Sequence, residues 1–420
     1  MTLTRRTLLA TGSSGAMLTT LAPGLRAAFA ADGLGTDRDI FIVVFLRFGA
    51  DGLTLIPPAD DGLYRDNRPT IGIASSGVGA GHPLGALDGV PFFAHPQMPE
   101  VKALFDAKDL AIVHAVGLPT DSRSHFVSQE LIERGIGLGE KQLTGGWLGR
   151  HIVARKLNLG GLGAISTQAE VDVALQGYNG AIAVPDITRF DVIGGELNLR
   201  IIEAMNVEAV NGGSEPHIAS ARTTIDTIRT IKTKLLSLPT VPGNPAGYTN
   251  GQLSTSLRAL ANMIKADVGL DVATVDLGGW DHHANLNQFF GGNARELSRA
   301  LAAFWTDMKD YRHRITLVTM TEFGRRVQEN ANGGLDHGAA SVMMVLGGNV
   351  NGGRVYGRWP GLRPADLDQG DLRVSTDYRQ VLLELLAKRR GEITSAAVFP
   401  TVPYRPLGVA RGDDGAVPRG

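Results

Sequence analysis

The chain has 420 residues with 41 basic and 42 acidic side chains, so its formal net charge is −1. This balance gives no reason to expect a nucleic-acid partner, and no apolar run beyond the amino terminus is long and uncharged enough to predict an integral membrane protein. Cysteine is absent, so a large buried core rather than disulfides must stabilise the fold.

Residues 1–30 have the layout of a twin-arginine (Tat) signal peptide. Arg5 and Arg6 precede an apolar stretch that runs to Leu21, and Ala28-Phe29-Ala30 follows with an A-x-A cleavage pattern. Removal of this segment leaves 38 basic and 42 acidic side chains, a net charge of −4. We therefore expect the Tat export machinery to be a partner and the mature protein to be periplasmic or secreted.

Short apolar runs along the chain predict strands that are buried on both faces, as in a parallel sheet. The five runs are residues 39–49, 109–117, 272–277, 315–320 and 342–348. Apolar stripes at helical spacing follow over 253–264, 297–308 and 381–386, the last with Thr376 or Asp377 as N-cap. This alternation predicts an α/β fold with a mostly parallel, doubly wound sheet flanked by helices.

The predicted sheet belongs to a single domain over residues 31–407. Strand signals are weaker over about 160–250, where a long helix is predicted at 215–236, so we expect this segment to be an insertion or cap. Residues 408–420 are rich in Gly, Asp and Pro, which predicts a loose tail.

Carboxylate and imidazole side chains gather in the loops beside the predicted strands. Ligands of open α/β sheets bind at the carboxyl ends of the strands. These side chains bind Zn²⁺ or Mn²⁺ in hydrolytic sites, with Ca²⁺ and Mg²⁺ as alternatives. Each residue alone has an ordinary explanation, such as a turn or a polar loop tip. Together they predict a divalent metal site with the ligands Asp51, Asp281, His283, Glu322 and His337.

The segment 120–126 opens a predicted helix after the second strand. A helix N-terminus favours an anion, and a serine hydroxyl there can face a phosphoryl or sulfuryl group. The alternative is that Asp121 or Ser122 is simply an N-cap. The predicted nucleophile is Ser124, with Ser122 as the second choice. His125 is predicted to position the substrate or to bind the metal, and Arg47 and Arg123 are predicted to bind the substrate.

These loops resemble the DUF1501 family of exported bacterial proteins, in the family's order and over residues 39–400. The segments that carry the resemblance are FLRFGADGL (45–53), RSHF (123–126), GGWLGR (145–150), GGWDHHAN (278–285), TEFGRR (321–326) and GLDHG through GGRVYGRWPGL (334–362). The family is placed in the alkaline phosphatase-like superfamily, and its biochemical function is not established.

The resemblance implies an alkaline phosphatase-like fold with one or two metals. Asp51, Asp281, His283 and His337 match metal ligands of the superfamily, and the nucleophile falls at Ser122 or Ser124. Glu322 stands where the superfamily has an Asp-His pair, and Phe323 replaces the histidine of that pair. The Asp281–His283 spacing is also tighter than the superfamily's usual pattern. The resemblance therefore predicts an incomplete second metal position.

The sequence is compatible with two functions. The first is an exported metal-dependent hydrolase of phosphate or sulfate esters, which acts on a small anionic substrate through a metal-activated serine or water. The second is a non-catalytic periplasmic protein that keeps the fold and binds a partner or an anion. Neither a G-x-S-x-G elbow, nor a P-loop, nor a sulfatase C/S-x-P-x-R motif occurs in the sequence.

Overall fold

The computed structural model describes residues 39–120, 122–157, 162–185, 244–390 and 395–413, with a few isolated positions elsewhere. The predicted signal peptide and most of the predicted 215–236 helix lie outside the described residues. Within them the fold is α/β, as predicted, with a nine-stranded mixed sheet flanked by helices.

The five apolar runs all form strands of this sheet, and the described residues contain eleven strands in total. The strands are β1 (Ile40–Leu46), β2 (His82–Leu87), β3 (Val90–Ala94), β4 (Leu110–Gly117), β5 (Ala164–Ser166), β6 (Ile182–Ala183), β7 (Val272–Leu277), β8 (Ile315–Met320), β9 (Ser341–Gly347), β10 (Val355–Tyr356) and β11 (Thr376–Asp377). The order in the sheet is β10-β4-β9-β8-β1-β7-β5-β6, with β11 beside β4, while β2 and β3 form a separate antiparallel hairpin.

One central strand runs against the others. Strand β9 pairs antiparallel with both β4 and β8, whereas β1 pairs parallel with β7 and β8. The sheet is therefore mixed. This reversal brings the beginning of β9 to the edge where β1, β4, β7 and β8 end, so the loop that precedes β9 joins the loops that follow those strands.

Helices cover both faces of the sheet. They are α1 (Gly52–Leu55), α2 (Gly62–Asn67), α3 (Pro99–Asp106), α4 (His125–Arg134), α5 (Trp147–Ala154), α6 (Gln252–Lys265), α7 (Leu286–Asp307), α8 (Tyr378–Arg390) and α9 (Ser395–Val398). The predicted stripes correspond to α6, α7 and α8, and the Asp377 carboxylate caps α8 by accepting from the Arg379 N–H. No helix among the described residues combines the length and apolar character of a membrane span.

The two faces have separate cores because alternate residues of each strand point to opposite sides. Ile42 and Val44 of β1 pack with α3, α6 and α7, while Val43 and Phe45 pack with α4, α5 and α8. Burial on both faces explains why β1 reads as a continuous apolar run.

Two segments outside the five main strands also pack on the sheet or its helices. Strands β5 and β6, within the expected insertion, extend the main sheet beside β7. The chain is also not loose directly after residue 407, because Val409 and Ala410 are buried. Their segment is held by the Glu384 carboxylate, which accepts from three backbone N–H groups there.

Candidate metal centre

A cluster of imidazole and carboxylate groups lies at the edge where β1, β4, β7 and β8 end. His125 begins α4 after β4, Asp281 and His283 follow β7, and His337 precedes β9. One ligand atom each from His125, Asp281 and His337 lies within 4.8 Å of the others. The cluster therefore combines three separate loops of the sheet edge.

The donor atoms converge on one carboxylate oxygen. Oδ1 of Asp281 lies 3.4 Å from Nε2 of His125, 3.0 Å from Nε2 of His283 and 3.6 Å from Nε2 of His337. The Nε2 atoms of His283 and His337 are 2.9 Å apart. Ligands of a tetrahedral Zn²⁺ with bonds of about 2.0–2.1 Å lie roughly 3.3 Å from each other. The separations among Asp281, His283 and His337 are close to this value, while His125, Asp281 and His337 form the group whose donor atoms all lie within 4.8 Å of one another.

Each histidine is held from behind by an acceptor. Nδ1 of His125 lies 2.7 Å from the Glu322 carboxylate, Nδ1 of His283 lies 2.9 Å from the Asp336 carboxylate, and Nδ1 of His337 lies 2.6 Å from the Arg123 carbonyl. Carboxylates and carbonyls only accept, so each Nδ1 is the donor, and Nε2 is the atom of each neutral ring that can bind a metal. Metal-binding histidines are oriented in this way.

One Nε2 atom of the cluster is left without a partner. Among the described residues, Nε2 of His125 is buried and has no hydrogen-bond partner. The facing lone pairs of His283 and His337 repel at their separation of 2.9 Å unless a proton or a cation lies between them. Burial, followed by the charge of Arg325, holds the pKa of His337 below its usual value, so this ring is neutral and able to bind a metal near pH 7.

Glu322 is an orienting group in this arrangement. Its buried carboxylate accepts from the His125 ring at 2.7 Å, the Gln129 amide at 2.9 Å and the Phe48 N–H at 2.9 Å. Burial alone would raise the pKa of Glu322, but the hydrogen bonds from His125 and Gln129 outweigh it and keep the pKa low. The carboxylate stays ionised and fixes the His125 ring. Its predicted role as a direct ligand stays a prediction.

Arg325 fixes the loops around the centre. Its buried guanidinium donates to the carbonyls of Phe48 and Gly49, both at 2.7 Å, and to the Asp281 carboxylate, also at 2.7 Å. Burial would raise the pKa of Asp281, but Arg325 lowers it below its usual value. The sequence predicts no role for this arginine of TEFGRR, because two of its acceptors, on Phe48 and Gly49, lie more than 270 residues away in the chain.

The loop after β1 is held in a strained conformation. Phe48 has a φ of 78°, which is unfavourable for a bulky residue, and Gly49 follows with a φ of 69°. A Cβ at Gly49 would lie 2.8 Å from the Phe323 ring, so only glycine fits there. The Phe48 ring, 38% exposed, packs edge-on against His125 at 5.5 Å. The strain places an aromatic side chain beside the histidine cluster.

Asp51 is engaged elsewhere. Its two carboxylate oxygens accept from the Arg68 guanidinium at 2.5 and 3.1 Å, and both side chains are buried. Burial would raise the pKa of Asp51, but Arg68 lowers it. The structure therefore gives Asp51 a buried ion pair and does not place it among the clustered donor atoms. Its predicted metal role stays a prediction.

The two predicted serines lie just before α4. Ser124 is the N-cap residue, is exposed, and makes no capping hydrogen bond with its side chain. The hydroxyl oxygen of Ser122 accepts from the Ser124 N–H at 3.3 Å. The Ser124 hydroxyl is the freer of the two, because the Ser122 hydroxyl accepts a hydrogen bond and the Ser124 hydroxyl makes no capping bond. Ser124 also directly precedes His125 of the cluster.

The two predicted substrate-binding arginines are both paired with carboxylates. Arg123 donates to the buried Asp371, and its side chain remains 30% exposed. Arg47 is enclosed by Glu133, Asp172 and Asp276 at 2.8–3.3 Å. Burial would lower the pKa of Arg47, but hydrogen bonds and charges of Glu133 and Asp276 raise it above its usual value. Arg123 thus keeps a charge that faces solvent. Arg47 stays protonated, and the surrounding carboxylates compensate its charge.

The model of one protein family matches part of this chain. It is described as "Protein of unknown function (DUF1501)", and the match covers residues 216–381. This range includes Asp281, His283 and His337 but not His125. The match supports the resemblance to DUF1501 drawn from the sequence. No curated protein matches the chain.

Proposed function

We propose that this DUF1501-like chain is an exported hydrolase that binds one divalent metal through His125, Asp281, His283 and His337. The observation that carries the proposal is the convergence of three Nε2 atoms on the Asp281 carboxylate while each Nδ1 lies against an acceptor. Imidazole-rich donor sets favour Zn²⁺ or Mn²⁺, whereas Ca²⁺ and Mg²⁺ prefer oxygen ligands alone.

The centre is open to solvent on one side. The side chains of Asp281 and His283 are 43% and 45% exposed, whereas the Glu322 side chain behind His125 is fully buried. Structural metal sites are closed, and catalytic sites keep an open position. The exposure supports a catalytic role, because a small ester can reach the donor atoms from solvent.

The chemistry that fits this centre is hydrolysis of a phosphate or sulfate ester. A bound metal would lower the pKa of a nearby hydroxyl or water and offset the negative charge of the ester. Ser124 would supply the hydroxyl, with Ser122 as the second choice, and water would replace both if neither serine acts. Arg123, with its exposed guanidinium, would hold an anionic ester oxygen. Arg47 has no substrate-binding role in this proposal, because three carboxylates surround it.

Export by the Tat route and an alkaline phosphatase-like fold are part of the same proposal. Arg5-Arg6 and Ala28-Phe29-Ala30 support export. The mixed sheet with helices on both faces and the donor cluster at the carboxyl ends of its strands support the fold.

A second candidate function is a non-catalytic metal-binding or anion-binding protein. The observation that favours it is the ion pair of Arg325 with Asp281 at 2.7 Å. This fixed positive charge already compensates the only carboxylate among the four donors. A folded centre that does not turn over substrate is therefore physically reasonable.

The experiment measures metal content and turnover in the same preparations. Protein purified after export is analysed for metals by mass spectrometry and assayed with 4-nitrophenyl phosphate and 4-nitrophenyl sulfate. We expect about one Zn or Mn per chain and measurable turnover, both lost in His337→Ala and both kept in the control His82→Ala. Metal without turnover would favour the second candidate, and wild-type protein without bound Zn or Mn would refute the metal centre.

A further inference from the structure

A basic cavity lies at the edge of the sheet opposite the candidate metal centre. Asp39, Asp271 and Arg314 directly precede β1, β7 and β8, whose carboxyl ends carry the metal centre. These strands are parallel, so their amino ends share the opposite edge. The cavity there has a volume of about 420 Å³, within the usual range for small-molecule sites.

Positive charge dominates the cavity wall. Among the described residues, four arginines and two aspartates line it, together with His313 and Leu157, so these side chains carry a formal charge of +2 with a neutral histidine. Arg155 follows α5, and Arg389 and Arg390 end α8. Arginine only donates hydrogen bonds and keeps its charge at every ordinary pH. A ligand that fits this wall must therefore be an acceptor-rich anion.

Two of these guanidinium groups keep buried donors without acceptors. Arg389 donates to the Asp39 carboxylate at 2.8 Å, and Arg390 donates to the Asp271 carboxylate. Within the part of the chain that the structure describes, the Nε atoms of both arginines are nevertheless buried and lack a hydrogen-bond partner. The Arg390 side chain is only 3% exposed. Buried donors without acceptors are unfavourable, so both guanidinium groups keep hydrogen-bonding capacity beyond the bonds to their aspartates.

A neighbouring histidine reports the same positive potential. His151 lies one helical turn before Arg155 and is fully buried. Burial first, and then the charges of Arg390 and Arg155, hold the pKa of His151 well below its usual value. The charges named among the causes of this shift are thus both positive.

We propose that this cavity is a binding site for a small phosphate monoester, distinct from the metal centre. Its dianionic head would accept from Arg389 and Arg390, with Arg155 and Arg314 adding positive charge from the cavity wall. Seven of the eight described lining residues are polar or charged, which disfavours an apolar ligand, and the volume exceeds that of a free phosphate ion. This inference does not depend on the metal centre being catalytic.

The test uses full-length exported protein in which the metal centre is disabled by His337→Ala, so that phosphate bound at that centre does not contribute. Isothermal titration with glycerol 3-phosphate and with inorganic phosphate is carried out at constant ionic strength. We expect glycerol 3-phosphate to bind more tightly than inorganic phosphate. Arg389→Gln should weaken binding at least about tenfold, which corresponds to about 1.4 kcal/mol.

Two further variants keep the test decisive. Arg155→Gln, at a partly exposed position outside the helix, should also weaken binding and is available if Arg389→Gln fails to fold. Arg363→Gln, in an exposed ion pair with Asp366, is the matched control and should bind as the parent does. The site is refuted if neither phosphate binds in the His337→Ala background, or if Arg389→Gln and Arg155→Gln bind unchanged. Tighter binding of inorganic phosphate would refute the monoester assignment.

Discussion

Replacement of Glu322 by glutamine tests whether this carboxylate orients His125 or binds the metal directly. The substitution keeps the shape of the side chain but removes the charge that accepts from His125, Gln129 and Phe48 at 2.7–2.9 Å. The glutamine oxygen can still accept one or two of these bonds, so the fold should persist. The His125 ring loses its charged partner and with it part of its orientation and basicity.

The size of the effect follows from that position. Loss of a carboxylate behind a metal-binding histidine lowers metal affinity about 10–100-fold, or roughly 1.4–2.7 kcal/mol. Loss of a direct ligand should cost far more and lower the coordination number. We therefore expect Glu322→Gln to raise the Kd for Zn²⁺ about 10–100-fold, while His337→Ala raises it well beyond that range.

Competition with a fluorescent chelator measures the Kd, and X-ray absorption measures the coordination number. The control is Glu296→Gln, a partly buried glutamate on α7 that accepts from Thr249 and the Ser254 N–H. It should leave the Kd unchanged. If Glu322→Gln loses a metal–oxygen bond and weakens binding as much as His337→Ala, Glu322 is a ligand and the orienting role is wrong. Unchanged affinity would show that His125 needs no such partner.

Three further predictions test export, the nucleophile and a buried acid. Replacement of Arg5 and Arg6 by lysine should leave precursor in the cytoplasm, detected by fractionation, and normal export would exclude the Tat route. Ser124→Ala should reduce ester turnover by orders of magnitude but change the free energy of unfolding by less than about 1 kcal/mol, because the hydroxyl makes no capping bond; full activity would leave water as nucleophile. Burial raises the pKa of Asp276 to about 7, against the opposing charge of Arg47, so the folded protein binds a proton that the unfolded chain has lost between pH 4 and pH 7. Wild-type stability should therefore fall relative to Asp276→Asn by about 2 kcal/mol from pH 5 to pH 7 in urea unfolding, and parallel pH profiles of the two proteins would contradict the shift.

The amino-acid sequence by itself determined the α/β class and the main strands. Strand β1 is buried on both faces, so nearly every residue must be apolar, and the resulting run is visible without any tertiary information. The same holds for β7 and β8, whose bounds equal the predicted ones. Local chemistry also placed the N-cap of α8 at Asp377 as one of two choices. These features depend on neighbours a few residues apart.

The sequence also indicated which loops contribute to the candidate centre, because residues that follow parallel strands gather at one edge. It did not explain why His337, which precedes a strand, should join them. That depends on the antiparallel direction of β9, which is set by pairing with β4 and β8. A parallel β9 would have put His337 at the opposite edge of the sheet.

Only the tertiary structure decided how the polar side chains pair. Asp51 and Glu322 are both carboxylates in loops after strands, yet Asp51 binds Arg68 and Glu322 binds His125. Buried charges must find partners, and which partner is within reach depends on packing rather than on sequence spacing. Arg325 is the clearest case, since its acceptors on Phe48 and Gly49 are more than 270 residues away. Hydrophobic patterning is local and readable, whereas the pairing of buried polar groups exists only once the chain has folded.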